Sequence, residues 1–71
     1  MERRLTYWVE KYPIMKFFEY AHLPAKLQDM SKPFGELAIF MVNKLPRNAE
    51  TSAGLRKLLE AKDCFVRAAL P

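Results

Sequence analysis

The sequence predicts an all-α protein in which a short N-terminal helix precedes an antiparallel hairpin of two long helices. Two runs of apolar residues recur at spacings of three and four, which is the pattern of amphipathic helices. The first run is Leu27, Met30, Phe34, Leu37, Ala38, Met41 and Leu45. The second run is Leu55, Leu58, Leu59, Phe65, Val66 and Ala69. Residues 45–48, Leu-Pro-Arg-Asn, separate the runs and predict the turn of the hairpin.

The secondary structure of the N-terminal quarter of the chain is harder to predict than that of the hairpin. Residues 4–12, from Arg4 to Tyr12, predict a short helix that ends before Pro13, because a residue preceding proline is pushed out of the α region. The apolar run from Ile14 to Tyr20 fits a strand or a helical turn, and we expect an extended or irregular arm. We treat residues 1–71 as a single domain, with residues 1–16 as an N-terminal arm or short helix and residues 17–71 as the hairpin.

Local sequence signals predict where the two long helices begin and end. Pro24 suits the first turn of a helix because its missing N–H costs nothing there. This helix is expected to run to about Lys44 and to be kinked near Pro33, which removes one backbone hydrogen bond. Asn48 or Thr51 is a suitable N-cap for the second helix, which should run to about residue 70. Along that helix the i,i+4 spacing predicts two ion pairs, Arg56–Glu60 and Asp63–Arg67.

Size and composition predict that copies of this chain associate. A domain of 71 residues buries only about 60% of its unfolded surface, so its own core is small. One cysteine and one histidine exclude an intramolecular disulfide and a structural zinc site. Because 51% of the residues are hydrophobic, self-association is the remaining means of stabilisation.

Charge and motifs limit the classes of function. The net charge of +4 is compatible with an anionic partner. No apolar run approaches the roughly 18–20 residues that span a membrane, and we expect a soluble protein of a reducing cytosol. No carboxylate is spaced to act with His22 in acid–base catalysis, and no phosphate-binding loop or metal quartet occurs. We therefore predict a protein that is not an enzyme and uses neither a metal ion nor a cofactor.

A larger pattern covers residues 17–70. It consists of His22-Leu23-Pro24, Leu27-Gln28, Ser31-Lys32-Pro33-Phe34, Leu37-Ala38, Leu45-Pro46, Glu50, residues 54–64 (GLRKLLEAKDC) and Val66-Arg67-Ala68. This pattern resembles the helical hairpin of the phage anti-CBASS sponge family, which the phage anti-Thoeris sponge carries beside another domain. The stand-alone length favours the anti-CBASS branch. The segment before Phe17 does not resemble the family.

The resemblance implies a phage protein that acts in immune evasion in the cytoplasm of the host bacterium. Such a sponge is a homohexamer that binds cyclic di- and trinucleotide immune messengers without cleaving them, so that CBASS effectors are not activated. Cyclic dinucleotides occupy pockets between paired protomers, and cyclic trinucleotides occupy pockets where three protomers meet. Neither a membrane nor a nucleic acid polymer is a partner in this interpretation.

Residue type and position within that pattern select the candidate ligand contacts. A cyclic dinucleotide presents two bases and two phosphates, which aromatic faces and cationic or N–H donors recognise. For that ligand we select Phe17, Tyr20, His22, Ser31 and Lys32. For the cyclic trinucleotide we select Thr51, Arg56 and Arg67.

Each candidate also has a structural explanation. His22 suits a turn or cap, the aromatic rings suit core or interface packing, and Lys32 suits a solvated surface. Arg67 is explained by its predicted pair with Asp63, and Cys64 by burial as a small apolar residue.

Two other functions remain open. Arg3, Arg4, Lys11 and Lys16 suit a small basic helical module that binds nucleic acid or a host protein. Trp8 with neighbouring basic residues suits a helix lying on a membrane surface.

Overall fold

The computed structural model describes residues 5–70, which are mostly helical and contain no strand. The elements are α1 (Leu5–Lys11), a 3₁₀ helix (Pro13–Phe18), α2 (Ala25–Lys44) and α3 (Ala49–Ala68). The prediction of an all-α protein with a two-helix hairpin is confirmed, since α2 and α3 pack against each other. None of the described helices is long and apolar enough to cross a membrane.

Prolines set the boundaries of the N-terminal elements. Tyr12 is extended, with φ −133° and ψ 98°, so α1 ends before Pro13 as predicted. The predicted first residue, Arg4, lies outside the described residues. The expectation of an extended or irregular arm from Ile14 to Tyr20 is wrong, because Pro13–Phe18 forms a 3₁₀ helix. Met15 and Phe18, three residues apart, are both fully buried, and a 3₁₀ helix places such a pair on one face.

Both long helices begin close to their predicted starts. Pro24 is the N-cap residue of α2, and the helix continues through Pro33 to Lys44; the bend at Pro33 stays a prediction. The Asn48 side chain caps α3 by accepting a 2.9 Å hydrogen bond from the Thr51 N–H. Asn48 is thus the N-cap, and this part of the prediction is confirmed.

The core lies where the 3₁₀ helix packs against both helices of the hairpin. Its buried apolar residues are Tyr12, Met15, Phe18, Ala38, Val42 and Leu55. Two of them belong to the 3₁₀ helix, so the predicted division between residues 16 and 17 falls within one packed element.

The side of α2 that faces this core is lined by small residues. Ser31, Gly35, Ala38 and Val42 are buried, whereas much of the predicted apolar face is exposed, including Met30, Leu37, Met41 and Leu45. A Cβ on Gly35 would lie 3.1 Å from the Phe18 carbonyl oxygen and 3.4 Å from the Tyr20 ring. Small side chains therefore allow the close approach, and the larger apolar residues are left on other sides of the helix.

Candidate functional site

An open recess of about 460 Å³ lies between the 3₁₀ helix and α3. The two faces of the 3₁₀ helix explain its position: Met15 and Phe18 point into the core, and Ile14 and Phe17 face α3. Its lining residues are Pro13, Ile14, Phe17, Arg56, Leu59, Glu60 and Asp63.

Phe17 supplies an aromatic surface at this recess. The residue is 60% exposed, which is unusual for a large apolar side chain next to a core. Its backbone is held in place because the Lys62 ammonium donates a 2.8 Å hydrogen bond to the Phe17 carbonyl oxygen. The same ammonium lies 3.0 Å from an Asp63 carboxylate oxygen. Lys62 therefore ties the end of the 3₁₀ helix to α3 and partly neutralises the acidic side of the recess.

Arg56 supplies a cation at the same recess. Arg56, Glu60 and Asp63 lie on successive turns of α3 and line one wall. The predicted ion pairs Arg56–Glu60 and Asp63–Arg67 are both wrong, since neither forms within the described part of the chain. Asp63 pairs with the adjacent Lys62 instead. The Arg56 guanidinium makes no ion pair or hydrogen bond with any side chain that the structure describes. It is available to a ligand phosphate.

The recess joins residues that the sequence analysis assigned to different ligands. Phe17 was selected for the cyclic dinucleotide and Arg56 for the cyclic trinucleotide, yet both line this space. An exposed aromatic ring and an unpaired guanidinium therefore occur together in a single chain.

The other candidates for the cyclic dinucleotide lie near α2. The Tyr20 ring packs against Gly35, one turn of α2 beyond Ser31, and Lys32 and His22 are exposed. Ser31 is 1% exposed, and its hydroxyl has no hydrogen-bond partner. A ligand would have to displace neighbouring groups to reach that hydroxyl.

The other two candidates for the cyclic trinucleotide have structural contacts. Thr51 is buried, its hydroxyl donates a 2.7 Å hydrogen bond to the Pro46 carbonyl, and its N–H is bound by Asn48. Arg67 lies near the end of α3 with a guanidinium nitrogen 3.5 Å from the Cys64 sulfur. Cys64 is exposed, so the expectation that it is buried is wrong.

Sequence reasoning missed five residues of the recess: Pro13, Ile14, Leu59, Glu60 and Asp63. Glu60 was considered only as a partner of Arg56. Ile14 precedes Phe17 by three residues, a signal that becomes informative once the segment is known to be a 3₁₀ helix. No three His, Cys, Asp or Glu side chains of the described residues are grouped to hold a metal ion.

Comparison with family models, with curated proteins and with solved structures found no significant match to this chain.

Proposed function

We propose that this protein binds cyclic di- and trinucleotide immune messengers and sequesters them without cleavage, so that CBASS effectors of a phage-infected bacterium stay inactive. In this proposal it acts in the host cytoplasm as a homo-oligomer, a hexamer by the resemblance of its hairpin to the anti-CBASS sponge family.

One observation supports the proposal above others: the exposed Phe17 ring and the unpaired Arg56 guanidinium line the same recess. The flat ring offers a face on which any base can stack, at about 1–3 kcal/mol per base. The guanidinium offers two N–H groups in the geometry that a phosphate accepts. In every nucleotide a single sugar joins a base to a phosphate, so one recess suits one nucleotide unit.

The acidic side chains fit this assignment because they can accept hydrogen bonds from a nucleobase. Glu60 shares the wall with Arg56, and its carboxylate can accept hydrogen bonds from the amino or imino groups of a base. The same negative charge repels a long chain of phosphates. The mixture of charges favours a small ligand with few phosphates over a nucleic acid polymer.

An oligomer would supply what one chain lacks. The recess is open and only one of its walls carries a cation, whereas a cyclic dinucleotide presents two bases and two phosphates. In a two-fold assembly each group of the site occurs twice, which matches the symmetry of such a ligand.

Native mass spectrometry with an equimolar panel of cyclic di- and trinucleotides, followed by denaturation, tests the proposal. We expect a hexamer with bound ligand and release of intact cyclic nucleotides. A protein that ignores the whole panel, or release of linear products, would contradict it. Binding of duplex DNA or RNA that falls steeply with salt would instead support the nucleic-acid module.

Two pairs of variants test the recess by titration calorimetry. Phe17→Ala is expected to weaken binding about 5- to 150-fold, the loss of one stacked base, and Phe17→Tyr to retain binding. Arg56→Gln is expected to weaken binding, and the adjacent exposed cation offers the control Lys57→Gln, which should not. Equal effects of Arg56→Gln and Lys57→Gln would mean that the recess is not the site.

A further inference from the structure

The solvent side of α2 is apolar along most of its length. Met30, Leu37, Phe40 and Met41 are 42%, 41%, 54% and 37% exposed, and Pro33 lies between them on the same side. We call these five residues the outer face of α2. Because the opposite side of α2 packs on the core, this helix is apolar on two sides. A helix that is apolar on two sides is typically packed against other elements on both of those sides.

The exposed area is large enough for a protein interface. Together with the exposed Leu45 and Phe65, the outer face presents on the order of 500 Å² of apolar surface, the upper range for a monomer. A standard interface buries about 800 Å² per partner, of which about 56–65% is apolar. The apolar area here is therefore what one half of such an interface requires.

Charges along α2 indicate that the matching surface is a second copy in the opposite direction. Asp29 lies eight residues before Leu37 and Lys44 lies seven residues after it. If two α2 helices cross antiparallel at Leu37, each Lys44 comes opposite Asp29 of the other copy. Parallel helices would place Lys44 beside Lys44. The Lys44 ammonium already lies over the outer face, 5.7 Å from the centre of the Phe40 ring.

We infer that two copies pair through the outer face of α2, antiparallel, with Leu37 on the two-fold axis. The pair of hairpins then forms a four-helix arrangement whose apolar layer is closed on both sides of α2. This inference rests on the homo-oligomer of the proposed function and defines one of its contacts, but it does not depend on the ligand.

Single cysteines introduced in a Cys64→Ser background test the pairing. A residue on a two-fold axis meets itself, so Leu37→Cys is expected to form a disulfide-linked dimer on mild oxidation. Residue 30 lies seven residues away, which places two copies of it about 20 Å apart in the antiparallel pair. Disulfides require Cα atoms within about 7 Å, so Met30→Cys should not cross-link. Lys57→Cys, exposed on α3, is the surface control.

The pattern of cross-links decides the geometry. Cross-linking at position 37 alone supports the antiparallel pair. Cross-linking at both 37 and 30 means a parallel pair, and cross-linking at neither means that another surface joins the copies; both outcomes overturn the inference. Cyclic nucleotide binding by the same samples is scored separately, so failure of the pairing and failure of the ligand proposal are distinguishable.

A charge exchange provides a second test without cysteine. Asp29→Lys alone is expected to weaken dimerisation about 2- to 30-fold, the range for two exposed ion pairs, as measured by sedimentation equilibrium. Asp29→Lys combined with Lys44→Asp restores the opposite charges and should recover most of the affinity. A double variant no tighter than the single one would overturn the antiparallel register.

Discussion

The two glycines of the chain occupy helices in opposite surroundings. Gly35 faces the core side of α2, where a Cβ would lie 3.1 Å from the Phe18 carbonyl oxygen. Gly54 lies in α3 with nothing within 4 Å of the same position. A glycine within a helix costs about 0.5–1 kcal/mol relative to alanine. Gly35 therefore has a packing reason that Gly54 lacks.

Alanine at the two glycines separates these effects. We expect Gly54→Ala to raise the free energy of unfolding by about 0.5–1 kcal/mol. Gly35→Ala gains the same helix propensity but crowds a backbone oxygen, and overpacking costs about 1–3 kcal/mol, so we expect net destabilisation. Urea unfolding measures both. Equal stabilisation by the two substitutions would show that the 3₁₀ helix moves away from α2 at little cost.

Helix boundaries were easier to predict than the faces that the helices bury. Pro13, Pro24 and Asn48 act locally, so the C-terminus of α1 and the N-termini of α2 and α3 follow from neighbouring residues. The 3₁₀ helix was missed because a six-residue apolar run fits several conformations. The buried side of α2 was missed because small residues line one side and large apolar residues another, and only the packed 3₁₀ helix distinguishes them.

The candidate site was partly predictable for the same reason. Phe17 and Arg56 were selected by residue type, which identifies chemistry. Their common recess depends on how the 3₁₀ helix packs against α3, a long-range contact without a local sequence signal. Thr51 was selected for a hydroxyl that the structure uses to cap the hairpin turn.

Lys62 is the side chain that links the 3₁₀ helix to α3, and its removal tests that link. Lys62→Met keeps the aliphatic part and removes the hydrogen bond to the Phe17 carbonyl. We expect a loss of about 1 kcal/mol of stability and faster hydrogen exchange at the Glu19 amide, which bonds to the Lys16 carbonyl. Lys57→Met, on an exposed position, is the control. Unchanged exchange at Glu19 in Lys62→Met would mean that the 3₁₀ helix is held by its core residues alone.

At the scale of the whole molecule, a small core lies beside a large exposed apolar surface. Among residues 7–70, whose side chains the structure describes, six apolar side chains form the buried core and nine large apolar residues are exposed. In the proposed homo-oligomer, binding of a second copy to the folded chain would stabilise that chain by mass action.

The melting temperature should therefore rise with protein concentration. We expect an increase of roughly 3–6 °C for each tenfold rise in concentration, because a small change in the free energy of unfolding shifts the Tm of a domain of this size by several degrees. Leu37→Glu places a charge on the outer face and should abolish the dependence, whereas Lys57→Glu should not. Differential scanning fluorimetry over a hundredfold concentration range measures it. A Tm independent of concentration would show that the isolated chain is the stable unit.

The alternation along the 3₁₀ helix has a consequence for how this segment can change in evolution. Ile14 and Phe17 line the recess, and Met15 and Phe18 fill the core, so site and core interleave residue by residue. One inserted or deleted residue would turn the helix by about 120° and move both sets away from the surfaces that they now face. The exposed side chain at position 17 can vary without opening the core, whereas the spacing between Met15 and Phe18 is fixed by the core. Related chains should therefore differ here by substitution and conserve length.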